Sequence, residues 1–375
     1  MRDADTIVIG GGVVGTMAAA LLAESGMRVL LLDHGDGAGS TSNAGSLHVQ
    51  MQSRFMRLYP EKVPGLEAQL PSYPLGVARW QALEARLAAD FELRMTGGLM
   101  VAESPEQLEF LGRKAERERE LGLDVEVIEG AALRRLAPYL SPAIIGAEFC
   151  AEEGKLNPLK ANAVLRRWAA AAGVARQDGC WVAGIEPVGG GFVVACAGGG
   201  TAVAPRLLLA CGWGAGPLVR PFGIDLPGGA EPLHMNITEP AAPLIGHLVQ
   251  HADRMITLKQ LGTGQVVIGG GWPARAAQPP ALELDSLISS ATLAQHVVPA
   301  LAPLRIIRCW AGNNTAIDGQ GVIGPVPDAP GLFLAIPGDA GYTLGPLTAE
   351  LAVAAMLALE PEIPLAPYDP ARFSA

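Results

Sequence analysis

The chain has 375 residues, with 27 basic and 37 acidic side chains and a formal net charge of −10. Half of the residues are hydrophobic, which is ample material for one or two buried cores and excludes a disordered chain. The acidic balance gives no support for a nucleic-acid partner. Residues 6–23 are uncharged over the length of a membrane span. Because Gly10, Gly11, Gly12 and Gly15 interrupt this run, we expect no transmembrane segment.

The N-terminus and the cysteines indicate the compartment. Acidic residues follow Met1–Arg2 without a cleavage pattern, so we expect no signal peptide. The five cysteines never stand in CxxC spacing, which is typical of a reduced compartment and excludes a cysteine-only zinc or iron–sulfur site of the usual spacing. These cysteines are Cys150, Cys180, Cys196, Cys211 and Cys309. The sequence therefore predicts a cytoplasmic protein without a metal site.

The first 33 residues predict a strand, a helix and a second strand. Residues 6–9 and 28–32 are apolar runs typical of buried parallel strands, and good helix formers lie between them. The turn after the first strand matches GxGxxG, and its cofactor candidates are Gly10, Gly12, Val14 and Gly15. Glycines here allow a tight turn and let the backbone approach a pyrophosphate, which the N–H groups at the helix start can bind.

An acidic residue completes this dinucleotide-binding pattern. Asp33 ends the second strand, where it can accept a hydrogen bond from an adenosine ribose hydroxyl, and His34 is a further candidate contact. The motif alone does not separate NAD from FAD. A second GxGxxG match at 269–274 follows an apolar strand, but Pro273 and Pro279–Pro280 prevent the helix that phosphate binding needs. We therefore reject a second nucleotide site.

The polar segment 39–45, GSTSNAG, comes just after this unit. Its small hydroxyl and amide side chains, together with the backbone, can donate hydrogen bonds to phosphates, although an ordinary polar loop is the alternative. The cofactor candidates in and after the segment are Ser42, Asn43, Ala44, Gly45 and Leu47.

Four segments point together to one family. They are the GxGxxG unit, the STSNAG segment, LLLACGW at 207–213, and the C-terminal stretch 310–342 with WAG, DG, IGP and PGDAGY. In these segments the sequence resembles the D-amino-acid oxidase-like flavoproteins, which include glycine oxidase and sarcosine oxidase, over nearly the whole chain. The resemblance implies FAD, and we expect it to be noncovalent because no cysteine stands in a convincing attachment pattern. The cofactor contacts that it adds are Val182, Cys211, Gly212, Trp213, Asp339, Ala340, Gly341, Tyr342 and Thr343.

The resemblance also implies an α/β fold. A Rossmann-type FAD-binding domain is expected to interleave with an α+β substrate domain built on a mainly antiparallel sheet. The expected bounds are 1–55, 145–220 and 305–375 for the FAD-binding domain, and 56–144 and 221–304 for the substrate-binding domain.

Local patterns within these bounds predict individual elements. Capping residues and periodicity favour helices at 158–173 and from Ser104 to Leu121, and an Ala- and Leu-rich run favours a last helix at 345–359. Strands separated by glycine turns are predicted at about 180–186, 191–197 and 201–210.

Within the family, three segments narrow the resemblance. NAGSLHVQ at 43–50, AIDGQGVIG at 316–324 and AGYTLGP at 340–346 resemble the flavin subunit of heteromeric dehydrogenases acting on opines or D-hydroxyproline. They resemble a hydrogen cyanide synthase subunit more distantly. The resemblance implies a larger dinucleotide-binding partner subunit, often with a small iron–sulfur subunit, and membrane association only through such partners.

Six residues are candidates for the pocket of a small amino-acid-like substrate: His48, Arg54, Arg57, Lys259, Asn314 and Tyr342. His48 follows the segment that approaches the flavin ring in this family, and a structural histidine is the alternative. Arg54 and Arg57 match the spacing of two arginines in sarcosine oxidases, one of which holds the substrate carboxylate. The alternative for these two arginines, and for Lys259, is an ordinary surface position.

Departures from the oxidase pattern favour a dehydrogenase that passes electrons to a partner. Asn313–Asn314 replaces the carboxylate-binding arginine that relatives have after WAG, and Thr343 replaces a carboxylate-binding lysine of sarcosine oxidases. Asp339–Ala340 stands where many relatives have Gly-His. The strand 266–268 lacks the lysine that those oxidases place beside the flavin for oxygen activation. A stand-alone oxidase that produces hydrogen peroxide and a non-catalytic flavin-binding subunit remain as alternatives.

Overall fold

The structure is a computed structural model that describes residues 4–35, 39–277 and 279–374. Met1–Asp3, on which the signal-peptide expectation partly rests, lie outside the described residues. The strands, in chain order, are β1 (Thr6–Ile9), β2 (Val29–Asp33), β3 (Ser46–Leu47), β4 (Gly98–Ala102), β5 (Val125–Glu129), β6 (Gly146–Cys150), β7 (Gly154–Lys155), β8 (Ala175–Asp178), β9 (Val182–Val188), β10 (Gly191–Cys196), β11 (Thr201–Ala204), β12 (Arg206–Leu209), β13 (Gly229–Thr238), β14 (Leu248–His251), β15 (Thr257–Gln260), β16 (Val266–Gly269), β17 (Ile306–Ala316), β18 (Val322–Pro325) and β19 (Leu332–Ile336). The helices are α1 (Val13–Glu24), α2 (Ser53–Leu58), α3 (Val63–Gln69), α4 (Ser72–Arg86), α5 (Pro105–Glu120), α6 (Gly130–Leu136), α7 (Pro158–Ala171), α8 (Ala215–Val219), α9 (Leu284–Val297) and α10 (Gly341–Met356).

A six-stranded sheet forms the first half of the molecule, in the order β18-β19-β12-β1-β2-β8. Its strands are parallel except β18, which pairs antiparallel with β19. The central strand β1 alternates between two cores, because Ile7 and Ile9 pack on one face and Val8 on the other. This double coverage explains the uninterrupted apolar run at residues 6–9, since both faces of a parallel sheet are buried.

Helices cover one face of this sheet and a small sheet covers the other. α1, α4, α7 and α10 supply buried side chains to the first core, including Met17, Trp80, Leu165 and Leu351. The three-stranded sheet β11-β10-β9 supplies buried side chains such as Phe192 to the second core. The arrangement is the doubly covered Rossmann-type architecture that the sequence predicted.

An eight-stranded sheet forms the second half, in the order β17-β13-β16-β15-β14-β4-β6-β5. The pairs in it are antiparallel except β14 with β4. Leu99, Leu258 and Ile268 on one face pack with residues of α6 and α9. On the other face, Met100 packs against Leu111 of α5. The mixed, mainly antiparallel character agrees with the prediction.

Two strands join the eight-stranded sheet although the predicted bounds placed them in the cofactor domain. β6 begins at Gly146 and β17 at Ile306, and both pair along their length within this sheet. The chain therefore passes from the eight-stranded to the six-stranded sheet only after β6 and after β17. The hydrogen-bond partners of a strand, rather than its local sequence, determine the sheet to which it belongs. The remaining domain bounds stay a prediction.

The predicted helices and the strands predicted at about 180–186 and 191–197 are present with small shifts at their ends. The single strand predicted at about 201–210 is wrong, because β11 (Thr201–Ala204) pairs in the three-stranded sheet and β12 (Arg206–Leu209) pairs in the six-stranded sheet. Helices α5 and α7 begin at Pro105 and Pro158, each after a capping side chain, and α10 begins four residues earlier than predicted, at Gly341. No helix follows the second glycine match at once, since the chain from 270 to α9 holds only isolated bridges among its described residues. Within those residues, no helix is both long and apolar enough to cross a membrane.

A disulfide joins Cys180 and Cys196. The expectation of reduced cysteines is wrong for this pair. The β9–β10 hairpin folds the chain back so that Cys196 pairs in register with Val182, which brings two cysteines together that are distant in sequence. Cys150, Cys211 and Cys309 are free.

Candidate functional site

A long cavity lies at the carboxyl ends of the parallel strands. It begins at Ile9 and Asp33, passes Ala210 after β12, and reaches Ala335 and Tyr342. The carboxyl edge of an open parallel sheet is where such folds bind nucleotides. Among the predicted cofactor residues, the lining includes Gly10, Gly12, Val14, Asp33, His34, Asn43, Val182, Cys211, Gly212, Trp213, Gly341 and Tyr342. It also includes residues that we did not predict: Ile9, Gly11, Gly35, Gly39, Ser40, Cys180, Trp181, Ala210, Gly214, Leu218, Asn313, Thr315, Ala335, Pro337 and Gly338.

The glycine turn leaves no room for side chains. A Cβ at Gly15 would lie 1.9 Å from the Gly10 carbonyl oxygen, and a Cβ at Gly10, where φ is +108°, would lie 2.5 Å from the Ala210 carbonyl oxygen. Among the described residues, Gly12 provides no side-chain cap for α1, and the Val13 N–H is taken by Ser40 Oγ at 3.0 Å. The other N–H groups of the first turn have no partner within the helix and can serve a phosphate at the cavity wall. The turn therefore offers a phosphate cradle made of backbone.

Asp33 is held in place by two donors. Its Oδ1 accepts from the Gly11 N–H at 3.0 Å, and its Oδ2 accepts from Arg176 Nη2 of β8 at 2.5 Å. The side chain of Asp33 is largely buried, and the neighbouring strand supplies the cation that makes this burial tolerable. The carboxylate lies at the cavity wall, where the sequence predicted a ribose acceptor.

A chain of hydrogen bonds links Tyr342, at the start of α10, to the start of α1. The Tyr342 hydroxyl donates to Asn162 Oδ1 at 3.0 Å, Asn162 Nδ2 donates to the Ser40 carbonyl at 2.8 Å, and the Val13 N–H donates to Ser40 Oγ at 3.0 Å. Trp80 stacks on the Tyr342 ring with centroids 5.1 Å apart. The Tyr342 hydroxyl is thus engaged with α7, while the residue itself lines the cavity.

Aromatic side chains gather at the other end. The His34 and Trp181 rings meet edge to face at 4.8 Å, and Trp181 lies 5.9 Å from the Trp213 ring. Such a group suits the planar adenine of a dinucleotide. Trp181 was missed because a tryptophan just before a short strand has no motif, and only the fold brings it beside Trp213.

The start of α10 faces the cavity with left-handed backbone. Gly338 and Ala340 have φ of +74° and +51°, and the helix begins at Gly341. The Thr343 hydroxyl is buried without a hydrogen-bond partner among the described residues. Burial, with Glu231 nearby, raises the pKa of Asp339 to about 6. The first turn of a long helix attracts negative charge, and a buried hydroxyl without a partner needs one. Both therefore favour a polar, electron-rich group at this place.

Other predicted cofactor residues do not line the cavity and stand behind it: Gly15, Ser42, Ala44, Gly45, Leu47, Asp339, Ala340 and Thr343. Ser42 accepts from Trp310 Nε1 through its carbonyl at 2.8 Å. Gly45 has φ of +78°, and a Cβ there would lie 2.3 Å from the Leu156 carbonyl oxygen. Their part in cofactor binding stays a prediction.

The two arginine candidates meet one acidic residue outside the cavity lining. Arg57 forms an ion pair with Asp253, and Arg54 Nη1 donates to the Asp253 carbonyl at 3.3 Å. The Arg57 side chain is 38% exposed. Asn314 does line the cavity, and its amide donates to Glu231 at 3.1 Å. Whether these residues bind substrate stays a prediction.

His48 and Lys259 come together, although 211 positions separate them in the chain. Both carry a buried nitrogen without a hydrogen-bond partner among the described residues. Burial, and next the Lys259 charge, lowers the pKa of His48 to about 4. Burial, and next the charge of Lys155, lowers the pKa of Lys259 well below its ordinary value. The surface alternative for Lys259 is wrong, since the residue is 1% exposed.

The position of Lys259 is relevant to the lysine that oxidases of this family place beside the flavin and that strand 266–268 lacks. Lys259 stands directly opposite Val267 in the antiparallel pair of β15 and β16. Residues directly opposite each other project from the same face of a sheet. The face of the sheet that carries Val267 therefore carries a lysine on the adjacent strand, which sequence spacing alone did not show.

Buried Glu153 connects the segment after β3 with strand β14. Its carboxylate accepts the N–H groups of Val49 and Gln50 at 2.8 and 3.0 Å and contacts the Gln250 amide. Burial raises the pKa of Glu153 to about 7 against the effect of these donors. No local pattern in the sequence marks Glu153, because its partners come from other elements.

These features fit a dinucleotide cofactor. The backbone turn, the fixed Asp33 and the aromatic end match the phosphates, ribose and adenine, and the start of α10 matches the pyrimidine edge of a flavin ring. The model for the family described as FAD dependent oxidoreductase matches residues 5–355. FAD is therefore the cofactor.

Known proteins of similar sequence and structure are flavoenzyme relatives of this family. The chain is 26% identical to a subunit of opine oxidase from Agrobacterium tumefaciens, over 100% of this chain and 99% of that protein. It is 26% identical to glycine oxidase of Pseudomonas putida, over 97% of each chain. The crystal structure of glycine oxidase from Geobacillus kaustophilus superposes with a TM-score of 0.87 at 23% identity, covering 100% of both chains. This last likeness shows the shared fold.

Proposed function

Because the chain belongs to the FAD dependent oxidoreductase family, we propose that it is the flavin subunit of a dehydrogenase for secondary-amine amino acids, of the opine or D-hydroxyproline type. It oxidises the C–N bond by hydride transfer and passes the electrons to partner subunits or another acceptor. The observation that carries the proposal is the end-to-end match to a protein named as a subunit of opine oxidase. The same segments, 43–50 and 340–346, carry the sequence resemblance.

FAD supplies the hydride acceptor, and the protein binds, orients and adjusts charge. When FAD is bound, the glycine turn and Asp33 would hold its nucleotide end by backbone N–H groups and a fixed carboxylate. The start of α10 would offer N–H groups to a polar group of the cofactor. His48, with a pKa of about 4, is neutral at pH 7 and would add no charge to a substrate pocket in this region.

Partner subunits are part of the proposal. The matched relatives include proteins that are named as subunits, one of opine oxidase and one of sarcosine oxidase. β17 is an edge strand of the eight-stranded sheet, and Ile307 at its start is 57% exposed. On α9, Leu284 and Ile288 are also exposed. We propose that a larger dinucleotide-binding subunit and a small iron–sulfur subunit complete the enzyme.

Anaerobic reduction of the bound flavin tests the reaction. The protein, purified with any copurifying subunits, is mixed with glycine, sarcosine, D-amino acids, imino acids and opines, and flavin absorbance is followed. Bleaching by secondary amines, and poor bleaching by glycine, is expected. Failure of every secondary amine to bleach the flavin in the complete complex contradicts the proposal. If no other compound of the panel bleaches it either, the non-catalytic flavin subunit is left.

A stand-alone oxidase is the second candidate, because Lys259 places a buried lysine on the strand next to 266–268, the strand that lacks the lysine of the oxidases. Oxygen uptake separates the two functions. Rapid peroxide formation by the isolated chain supports the oxidase, whereas slow oxygen consumption with rapid reduction of an artificial acceptor supports the dehydrogenase.

A further inference from the structure

Lys259 is a buried lysine that the cofactor cradle does not explain. It is 1% exposed, and its Nζ has no hydrogen-bond partner among the described residues. Its neighbour Leu258 points into the core under α9, so the Lys259 side chain projects from the opposite face of β15. Burying an ammonium group without a partner is costly, so a buried lysine that persists calls for a reason beyond packing.

The Lys259 amine lies next to the polar segment 39–45. The Nζ lies 3.1 Å from the point where a Cβ on Gly45 would stand. The Gly45 N–H donates to Asn43 Oδ1 at 2.6 Å, and Asn43 lines the cavity. The segment from Asn43 to Gly45 therefore contacts the cavity at one residue and the lysine at the other.

Among the residues that the structure describes, the charged or titratable groups found to interact with Lys259 are basic, and they are His48 and Lys155. Glu153, the buried carboxylate of this region, is directed to the N–H groups of Val49 and Gln50 and the Gln250 amide. An amine in such surroundings favours its neutral form until an anion arrives, and then gains a proton.

We propose that Lys259 takes up a proton when the bound FAD is reduced, and so compensates the negative charge that reduction adds. A hydride equivalent brings two electrons and one proton to the cofactor and leaves it with one negative charge. One further proton from solvent then adds to the Lys259 amine, giving two electrons and two protons in total. The proposal concerns the cofactor's charge, so it holds or fails independently of the substrate proposed above.

The test is the pH dependence of the flavin midpoint potential, measured with a chemical reductant and reference dyes between about pH 6 and 9. One proton per two electrons gives a slope of about 30 mV per pH unit, and two protons give about 60 mV. In the wild-type holoprotein we expect a break from the shallow to the steep slope as pH rises. Lys259→Met should keep the shallow slope throughout. Lys160→Met is the matched control, because Lys160 is exposed and paired with Asp90 and Glu92, and it should behave as wild type.

The absorbance of the reduced flavin shows where the second proton resides. A steep slope in Lys259→Met with a newly protonated ring supports the proposal, because the ring then takes the proton that the amine has lost. A steep slope with the ring unchanged from wild type overturns it, and so does a shallow slope in wild type at every pH. Glu153 and Asp339, with pKa values of about 7 and 6, titrate in wild type and in Lys259→Met alike. Their contribution to the slope is therefore the same in both proteins.

A second variant keeps the proposal testable if Lys259→Met does not retain FAD. Lys155→Met removes the like charge that faces the amine. Lys259 then accepts its proton more readily in the oxidised protein, so the break in slope should move to higher pH. A break that stays in place, or moves to lower pH, contradicts the assignment to Lys259.

Discussion

The six-stranded and the eight-stranded sheet differ in the kind of group that they contribute to the candidate site. At the six-stranded sheet, the site consists of backbone turns and glycines, such as Gly10 and Gly15, together with one fixed carboxylate, Asp33. At the eight-stranded sheet, buried polar side chains such as Glu153 and Lys259 contribute instead. A phosphate-binding turn made of backbone needs particular residues at fixed spacing, so the sequence predicts it. The burial of a polar side chain depends on neighbours from distant segments, so the sequence does not.

Substitution of Gly15 is the strongest way to break the first region. In Gly15→Ala the added Cβ would lie 1.9 Å from the Gly10 carbonyl oxygen, so the turn or the helix must shift. Overpacking of this kind costs about 1–3 kcal/mol in stability, and displacement of the phosphate cradle should remove most of the bound FAD. The flavin-to-protein absorbance ratio measures this loss.

Gly112→Ala is the matched control, since a Cβ there has nothing within 4 Å and the residue lies inside α5. It should keep full FAD content and gain slightly in stability, because alanine favours helix over glycine. Equal FAD content in the two variants would show that the turn tolerates a side chain.

Substitution of Glu153 sharpens the comparison from the second region. The pKa of Glu153 is about 7 in the folded protein and about 4.5 in the unfolded chain. Between these two pH values the carboxyl is protonated when folded and ionised when unfolded. Stability from this group is therefore present at low pH and decreases as pH rises through 7. Glu153→Gln stays neutral and should be more stable than wild type at pH 8, by up to about 3 kcal/mol.

Denaturant unfolding at pH 5 and pH 8 measures the effect of Glu153→Gln. Exposed Glu126 on β5 supplies the control, and Glu126→Gln should leave the difference between the two pH values unchanged. A Glu153→Gln protein with the wild-type pH dependence would mean that Glu153 is ionised when folded.

Substitution of Arg57 is expected to have the smallest effect. The Arg57–Asp253 ion pair is partly exposed, at 38% and 31% of the two side chains, and such pairs contribute about 0–1 kcal/mol. Arg57→Ala should therefore unfold at nearly the wild-type denaturant concentration, with KM unchanged for the substrate that bleaches the flavin. A large rise in KM would establish Arg57 as the carboxylate-binding arginine that its spacing suggested.

Several elements in both halves of the protein could be predicted from the sequence alone. The βαβ unit, the end of β2 at Asp33, the helix starts at Pro105 and Pro158 and the rejection of the second glycine match all follow from local rules of capping, proline and glycine. These features need only neighbours in the chain.

Only the tertiary structure decided which distant residues meet. It pairs Cys180 with Cys196, brings Trp181 to Trp213, engages the Tyr342 hydroxyl with Asn162, and sets Lys259 opposite Val267. It also placed β6 and β17 in the eight-stranded sheet. Strand register and the burial of polar groups depend on long-range hydrogen bonds and packing, and single-sequence spacing carries no record of them.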